Sequence, residues 1–585
     1  MPRYDNIQIG KTISSYGGVG SLIQTKDNGS LLIRPYNEWP IYTECVLKFD
    51  TPTPNANDDT KRSKVKQVVD PRLIRLLQTR HQFANLKMIF APPLNERHEI
   101  QWWNVVDNDK LMSARFFPEW FFCPKCRTLK HLNTWQENWN QQNFSRPQPP
   151  HNPDSFDDKY PRCYLCRNLA QNNNWKKKNF FLEQVRFVLA CEATGDMIDV
   201  PWGQLVGHPY HDDRNPLVIA NNYNDSNLKY GTSGSTANLY GLTIRSENQR
   251  RSLGDIFSIK FNKDENNFQA VVRGGSNLYF AVTTSSIYIP IFIKVVYDQV
   301  RNAEIAVKTI IPNIGYPAIV QAVFNILQKQ GVNLEIGVVD YLLKPYENIS
   351  DYREQEYSFF TTVNNIVDED LVLIQSNWPP DNRLNFISSI YSLKKLKESV
   401  VQTGYKRISQ DGNERLTSTQ GIIDVRYIPG VSSYGEGIFF VFDLGKFQNI
   451  VDANKETILV TFSNIVMKEL EFECGYALTS LKQRLYIIKD RNQLITAIGV
   501  LIYSINGSDG SYGGLISLVP DGIQHIVENA LERAKDCPHD PVCKSEGGHC
   551  FACTELPETS NDWEYSAILT CNRNVLNEFM ATLGA

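Results

Sequence analysis

The chain has 585 residues, of which 42% are hydrophobic and 21% charged, and its formal net charge is −4. This length suggests about four domains of ~150 residues, and the composition is that of an ordinary globular protein. The charge balance excludes a polycation, so nucleic acid could contact this chain only through a local basic patch.

Sequence features favour a cytoplasmic protein without a membrane partner. The first residues lack the apolar segment of a signal peptide. The longest uncharged apolar run, residues 494–505, is too short to span a bilayer. Twelve cysteines, eight of them in metal-like spacing, fit a reducing compartment better than a disulfide scaffold.

The N-terminal part predicts short strands, including residues 21–24 and 30–34, followed by a helix near residues 71–80. Residues 10–12 (Gly-Lys-Thr) look like the end of a phosphate-binding loop. Asp5, however, stands where that motif needs its first glycine, and no strand precedes it. We exclude an ATP site there, and no other stretch has the Walker pattern.

Two CxxC pairs mark the next region: Cys123 with Cys126, and Cys163 with Cys166. Each pair forms a tight turn that aims two thiolates at one metal, and four thiolates give the tetrahedral shell that Zn²⁺ accepts. Between the pairs, residues 140–158 predict a long polar loop. The alternative is two independent turns with free cysteines. We predict a structural zinc site that is closed by its four ligands and cannot activate water.

Aromatic side chains crowd this predicted zinc site. They are Phe116, Phe117, Trp120, Phe121 and Phe122. Such residues could stack on nucleic-acid bases, but beside a small zinc site they usually form its core. We expect them to be core residues.

A possible catalytic cluster follows in the sequence. His208, His211, Asp212 and Asp213 could form a metal or hydrolase site. They lie in a proline-punctuated stretch without a positioned nucleophile or HExxH spacing. Loop histidines with local hydrogen bonds are therefore the expected interpretation. The pattern of residues 239–261 then predicts β-strands.

Helical periodicity at residues 318–328 and 393–401 predicts a helical connector. The last 165 residues predict an α/β domain with strands on either side of a loop at residues 429–436. Further predicted elements are a helix near residues 476–489, a buried strand at residues 494–505 and a helix at residues 523–535. The glycine-rich residues 506–514 could cradle a phosphate, although such turns more often only join elements.

Four more cysteines follow the last of these helices. They are Cys537, Cys543, Cys550 and Cys553. Two short-spaced pairs after one helix predict a second four-thiolate zinc site. His539 and His549 are alternative ligands, but four thiolates leave them no vacant position. We therefore expect two structural zinc ions and no catalytic residues.

Three basic clusters could contact DNA: Lys176 to Lys178, Arg245 to Arg251, and Lys394 to Lys397. Clusters of this kind attract phosphate, yet each is more often solvated surface. The sequence alone does not choose among them.

The C-terminal motifs resemble the zinc-binding module of MrfA-like helicases. These motifs are CPHDPVC at residues 537–543, HCFAC at residues 549–553 and LPET at residues 556–559. Three further stretches extend the likeness to the DrmB family, whose members are subunits of DISARM anti-phage defence systems. They are residues 115–126, 276–280 and 429–437. The resemblance covers nearly the whole chain, from Tyr16 to Leu576.

This resemblance implies a non-catalytic, zinc-stabilised subunit in the bacterial cytoplasm that associates with a DrmA-like superfamily-two helicase. Together they are expected to engage foreign DNA, a duplex with a single-stranded segment. Other DISARM subunits, including a methyltransferase and a phospholipase-D-like protein, are further implied partners. The missing Walker motif agrees with a subunit that leaves ATP hydrolysis to the helicase.

The sequence departs from the family in two places. Relatives tend to carry further cysteines in the region that matches residues 229–251, where Thr232, Ser233 and Ser235 stand here. A zinc finger formed by residues 229–251 is therefore expected to have lost its metal ion. Relatives also often have a cysteine at the position of Asn561, which makes Cys571 a possible spare ligand.

We therefore predict a multidomain α+β protein with zinc-ribbon-like elements, a helical connector and a C-terminal α/β domain that carries a four-Cys zinc site. The predicted domains are an N-terminal β-rich domain (1–110), a zinc-ribbon domain with a long polar loop (111–192), a degenerate zinc-finger-like β region (193–300), a helical connector (301–420) and a helicase-associated zinc-binding domain (421–585). Two other functions stay open. One is a scaffold without DNA contact, and the other is a metal-dependent nuclease built on the His–Asp cluster.

Overall fold

The structure is a computed structural model, and it confirms the mixed α+β class. It describes residues 13, 17–25, 29–92, 112–141, 161–166, 181–191, 193–208, 216–220, 227–232, 239–275, 278–290, 294–362, 365–376, 378, 384–408, 415–418, 426–505, 513–519, 521–557, 560–562 and 571–583.

The strands alternate with helices along the chain. The strands are β1 (Leu22–Thr25), β2 (Gly29–Ile33), β3 (Gln67–Val68), β4 (Met88–Phe90), β5 (Ala114–Phe116), β6 (Trp120–Phe122), β7 (Thr128–His131), β8 (Glu183–Gln184), β9 (Phe187–Cys191), β10 (Met197–Ile198), β11 (Leu217–Val218), β12 (Leu228–Thr232), β13 (Leu242–Arg245), β14 (Arg250–Ser252), β15 (Phe261–Lys263), β16 (Asn266–Val272), β17 (Phe280–Ile287), β18 (Asn365–Val367), β19 (Leu371–Ser376), β20 (Ile387–Ile408), β21 (Arg415–Ser418), β22 (Tyr427–Phe442), β23 (Leu481–Lys489) and β24 (Ile495–Ile505). The α-helices are α1 (Pro40–Glu44), α2 (Ala56–Ser63), α3 (Pro71–Gln78), α4 (Leu132–Asn140), α5 (Trp202–Gly207), α6 (Lys294–Ile310), α7 (Ala318–Lys329), α8 (Ile336–Leu343), α9 (Ile349–Thr362), α10 (Asp452–Cys474), α11 (Ile523–Arg533), α12 (Val542–Ser545) and α13 (Arg573–Thr582). Short 3-10 helices lie at Tyr36–Glu38, Val46–Asp50, His81–Phe83, Leu239–Gly241, Ile256–Ser258, Leu444–Phe447, Leu478–Ser480 and Ile516–Leu518.

The chain forms two compact units, each assembled from three separate stretches. Unit 1 comprises Met1–Val65, Pro92–Val282 and Gln402–Asp424, and unit 2 comprises Lys66–Ala91, Thr283–Val401 and Val425–Ala585. Because a compact unit can contain several smaller domains, the five domain ranges drawn from the sequence remain predictions.

The described part of unit 1 contains three β-sheets. Their strand orders are β1-β2-β5, β10-β9-β16-β15-β11 and β14-β13-β12-β7-β6-β8. Side chains alternate between the two faces of each strand. In the six-stranded sheet, this alternation buries Leu228, Tyr230, Leu242 and Ile244 in one core while the residues between them face away. That opposite face carries the first cysteine cluster.

Unit 2 is dominated by a sheet with the order β18-β19-β20-β22-β24-β23. Helix α10 contributes its side chains to the core on one face of this sheet, and α9 contributes Phe360 to the core on the other. Helices α6, α7 and α8 form a further small core. This confirms helical structure in the first part of the predicted connector, and α3, α7, α11 and β24 confirm four predicted elements.

Two predicted helices are wrong. Residues 393–401 belong to β20, where a β-bulge shifts the register between Leu393 and Leu396 and leaves both residues buried. The bulge therefore gives a strand the i, i+3 apolar spacing of a helix. Residues 481–489 of the helix predicted at 476–489 form β23, whose two faces are both buried. A continuous apolar run of this kind has no period that separates strand from helix.

The predicted loop at residues 429–436 is also wrong, because β22 runs through it without interruption. Its glycines suggested a turn but instead permit close packing. A Cβ on Gly430 would lie 2.4 Å from Ile89 Cγ2, and one on Gly435 would lie 2.1 Å from the Ser504 carbonyl oxygen.

Two candidate metal centres

The first cysteine pair is held by the turn between β6 and β7. The Cys123 N–H donates to the Thr128 carbonyl at 3.0 Å, and the Arg127 N–H donates to the Cys123 carbonyl at 2.8 Å. Arg127 adopts a left-handed backbone with φ of 62°, which reverses the chain. This turn aims the Cys123 and Cys126 side chains at the second pair, Cys163 and Cys166.

The four sulfur atoms of this cluster have the separations that a tetrahedral metal requires. Cys123 Sγ lies 3.6 Å from Cys166 Sγ, and Cys126 Sγ lies 3.7 Å from Cys163 Sγ. All four lie within 4.8 Å of one another. A tetrahedron of sulfurs ~2.3 Å from Zn²⁺ has edges of about 3.8 Å. A disulfide would need about 2.0 Å, and none of the twelve cysteines, all of which are described, is bridged by one.

Of the five aromatic residues predicted to be core, four are buried as predicted, and Phe116 is half-buried. Of these five, only Phe116 and Phe121 pack around the cysteines. Phe121 is 1% exposed and packs with Trp135 and Trp139 around the cysteines. The Trp135 indole N–H donates to the Phe121 carbonyl at 2.9 Å. Both tryptophans belong to α4, a helix that the sequence interpretation missed. Of the predicted polar loop, only Asn140 and Gln141 lie among the described residues.

The second cluster gathers Cys537, Cys543, Cys550 and Cys553 around the short helix α12. The separations between sulfur atoms are 3.5 Å for Cys537–Cys550, 3.5 Å for Cys543–Cys553 and 3.6 Å for Cys550–Cys553. The Cys550 carbonyl accepts from the N–H groups of residues 553, 554 and 555, which fixes the turn that carries the last pair. Like the first, this cluster can hold a metal ion.

Arg573, the first residue of α13, holds the second cluster in place without being a ligand. Its guanidinium is buried, donates to the Lys535 carbonyl at 3.0 Å and pairs with Asp540. Asp540 in turn accepts from the Cys537 N–H at 3.0 Å and from the Lys544 N–H at 3.1 Å. One side chain thus ties the end of α11 to the start of the metal loop.

Helix α10 provides a second support for this cluster. Lys468 Nζ donates to the Phe551 carbonyl at 2.6 Å, and Asn464 Nδ2 donates to the Thr554 carbonyl at 2.9 Å. Both carbonyls belong to the loop around Cys550 and Cys553. The metal loop is therefore fixed to a helix whose other side chains lie in the unit 2 core.

Within the second cluster, hydrogen bonds outweigh burial and lower the pKa of the Cys550 thiol to about 6, whereas other thiols of the two clusters have raised pKa values. Burial, followed by the neighbouring cysteines, raises the pKa of Cys166 to about 12. Burial, followed by hydrogen bonding to Cys553, raises the pKa of Cys543 to about 12. A bound divalent metal would offset both costs because it stabilises the thiolate form directly.

The other candidate ligands lie outside the second cluster. His539 and His549 are exposed, and among the described residues the cluster contains cysteines alone. Cys571 Sγ accepts from Asn464 Nδ2 at 2.9 Å, and Gln483 Nε2 donates to Asn561 Oδ1 at 3.2 Å. Neither residue takes part in a group of clustered ligand atoms.

The remaining sequence candidates are only partly described. His211, Asp212, Asp213 and the Lys176–Lys178 cluster lie outside the described residues, and the His208 carbonyl accepts from Arg251. At the end of the glycine-rich stretch, the Gly513 and Leu515 N–H groups donate to buried Glu436 at 2.7 and 3.0 Å. They are therefore not offered to a phosphate.

Two of the basic clusters are partly neutralised. Lys397 Nζ lies 2.6 Å from the Asp370 carboxylate, and Lys395 Nζ lies 4.7 Å from the centre of the Tyr434 ring. Arg251 is buried and pairs with Asp255 at 2.6 Å.

Comparisons with known proteins agree with the predicted resemblance. Residues 8–280 match a family model described as a domain of unknown function (DUF8724). The chain is 26% identical over 255 residues to the DISARM protein DrmB of Bacillus paralicheniformis, and the match covers 36% of this chain and 44% of that protein. The chain thus matches less than half the length of this relative. Over that part, the predicted similarity to DrmB is confirmed.

A solved structure described as the DUF1998 helicase MrfA bound to DNA also matches. The match has 13% identity and a TM-score of 0.22, and it covers 38% of this chain and 26% of that chain. So low a score does not establish a common fold. Among the described residues, no helix is both long and apolar enough to cross a membrane.

Proposed function

We propose that this chain is a non-catalytic subunit of a DISARM-type defence complex that associates with a superfamily-two helicase and helps it to engage foreign DNA. The similarity to DrmB over 255 residues carries this proposal. The sequence has no Walker motif, so the helicase partner would supply ATP hydrolysis.

Both candidate metal centres support a structural role. Thiolates select zinc over the hard cations Mg²⁺ and Ca²⁺, and the eight cysteines would hold two Zn²⁺ ions. When bound, such an ion supplies folding free energy, and a shell of four sulfurs leaves no position for a substrate or an activated water. The chain would therefore contribute surfaces rather than chemistry to the complex.

Co-purification and DNA binding test this function together. The chain and a DrmA-like superfamily-two helicase would be expressed jointly, and DNA affinity would be measured for each alone and for the pair across a salt series. The proposal expects a stable pair whose affinity exceeds that of the helicase alone and falls with salt. A duplex with a single-stranded extension is the appropriate probe.

Two results would contradict this function in different ways. A stable pair whose DNA affinity equals that of the helicase alone would favour a scaffold without DNA contact. DNA cleavage by the chain alone in Mg²⁺ or Mn²⁺, lost in Asp212→Ala but not in Asp521→Ala, would establish a nuclease instead.

A further inference from the structure

The six-stranded sheet of unit 1 aligns three cations that lie far apart in the sequence. Lys229 on β12 stands opposite Arg245 on β13, and Arg245 stands opposite Arg250 on β14. Directly opposite residues place their side chains on the same face of a sheet. These three residues, here named the basic row, therefore form one line across three neighbouring strands.

The basic row lies on the solvent face of the sheet. All three side chains are exposed, whereas the alternate positions Leu228, Tyr230, Leu242 and Ile244 are buried in the unit 1 core. Neighbouring strands are about 4.8 Å apart, so the row extends over about 10 Å. Among the described residues, no ion pair involves any of the three. The nearby carboxylate of Glu247 instead accepts from Asn227 Nδ2 at 2.6 Å.

The basic row is continuous with the first cysteine cluster. Thr128 on β7 stands opposite Lys229, and its Oγ1 atom lies 3.4 Å from Cys126 Sγ. The turn that carries Cys126 therefore fixes β7, the strand that pairs with β12 at Lys229. A metal in that cluster would make the surface beside it rigid.

Protection of a sheet edge does not explain this arrangement. Strand β14 is an edge strand, and charged residues on an edge oppose aggregation, which accounts for Arg250 alone. Lys229 and Arg245 lie on interior strands, where like charges that stand directly opposite one another are destabilising. An anion that binds all three cations would remove that repulsion.

We infer that the basic row binds the phosphate backbone of duplex DNA, an inference that rests on the DNA engagement in the proposed function. The next register line, Gly231–Thr243–Ser252, has small polar side chains and no aromatic ring. Proteins that bind single strands stack bases on aromatic residues, and neither of these two register lines contains one. A flat surface with three long cationic side chains instead suits contact with successive backbone phosphates without sequence preference.

The test compares two variants of equal net charge in the full-length chain. The first carries Lys229→Gln, Arg245→Gln and Arg250→Gln. The control carries Lys66→Gln, Lys260→Gln and Lys329→Gln, which removes three exposed lysines that do not belong to the strands of the basic row. Affinity for a duplex of random sequence would be measured across a salt series. Metal content and the midpoint of thermal unfolding would show that both variants fold.

DNA binding by the basic-row variant should depend less on salt than binding by the control variant. Each lost phosphate contact lowers the slope of log affinity against log salt by about 0.9, so the slope should fall by about 2 to 3. Affinity at 0.1 M salt should fall on the order of a hundredfold, with little change in the control. Because repulsion is relieved, the unfolding midpoint should stay level or rise.

The outcomes separate this inference from the proposed function. If the unaltered chain binds no DNA with or without the helicase, the proposed engagement of DNA fails and the inference fails with it. If the unaltered chain binds duplex DNA and the two variants match each other, only the assignment to the basic row is overturned. A variant that loses binding to single strands but not to duplex would also overturn it.

Discussion

At the scale of residues, spacing predicts which cysteines cluster, but it does not predict the residues that support those clusters. The eight cysteines of the two clusters were predicted because each pair lies within a few residues along the chain. Arg573 could not be found in this way, because it lies 20 residues beyond Cys553 and touches Asp540 only after folding. Lys229 was missed for the same reason, since only strand register brings it beside Arg245.

Substitution of one ligand should remove one metal ion. We predict that Cys543→Ser lowers the zinc content from two ions per chain to one, because a three-sulfur shell binds zinc more weakly. Cys571→Ser should keep both ions, since Cys571 lies outside the cluster. Elemental analysis of the two purified variants measures this. Equal loss in both variants would make Cys571 a ligand.

Arg573→Met should destabilise the second metal loop. The substitution leaves the Asp540 carboxylate and the carbonyls at the end of α11 without their buried donor. Because the substitution leaves these acceptors without their donor, the free energy of unfolding should fall by more than it does when a surface pair is lost. Zinc should also be released faster to a chelator.

Lys535→Met is the matched control for that prediction. Lys535 pairs with Glu532 at 2.9 Å, and the two side chains are 52% and 73% exposed, so its loss should cost at most about 1 kcal/mol. Equal unfolding free energies and equal release of zinc in the two variants would show that Arg573 has no special role.

At the scale of elements, one buried carboxylate joins two helices to the large sheet of unit 2. Glu356 on α9 accepts from Arg72 of α3 at 2.6 Å and from two nitrogens of Arg484 on β23 at 2.6 and 2.7 Å. All three side chains are at most 1% exposed. Burial alone would raise the pKa of Glu356, but the charges of Arg484 and Arg72 outweigh it and hold that pKa well below its usual value.

Glu356→Gln should therefore destabilise unit 2 in a pH-dependent way. We expect a loss of about 3 to 5 kcal/mol at neutral pH, since two guanidinium groups lose their buried counter-charge. A depressed pKa stabilises the fold above the unfolded value of ~4.3, and this contribution disappears as the pH falls below it. Chemical denaturation of the variant should accordingly show a weaker loss of stability below about pH 4 than the unaltered chain.

Glu354→Gln on the same helix is the matched control. Glu354 pairs with Lys344 at 2.8 Å at the surface and is 38% exposed, so its loss should cost less than about 1 kcal/mol. If the two variants have the same pH profile, the buried carboxylate does not join these elements as described.

The sequence predicted the type of an element where its apolar pattern was clear. Helices α7 and α11 each have one apolar face, and β24 is an apolar run with clear ends. The type of an element was not predictable where the fold itself disturbed the pattern. In β20 a bulge mimics helical spacing, and in β22 glycines serve close strand packing rather than turns. Both features depend on partners that lie far away in the sequence.

At the scale of the whole molecule, the two compact units each contain one cysteine cluster. The first lies on the solvent-side face of a sheet in unit 1, and the second joins α10, α11 and α13 in unit 2. The order of these discontinuous units could not be deduced from composition, because the chain crosses between them five times. The sequence could indicate two metal sites, but not the surfaces that those sites organise.

X-ray absorption at the zinc edge, together with the zinc content of the purified full-length chain, tests the central claim that both metal centres are closed and structural. We predict two zinc ions per chain, each with four sulfur neighbours at ~2.3 Å and no oxygen neighbour. Fewer than two ions, or a shell that includes oxygen or nitrogen, would contradict this claim. A coordination position not held by sulfur could bind water or a substrate, and the metal could then be catalytic.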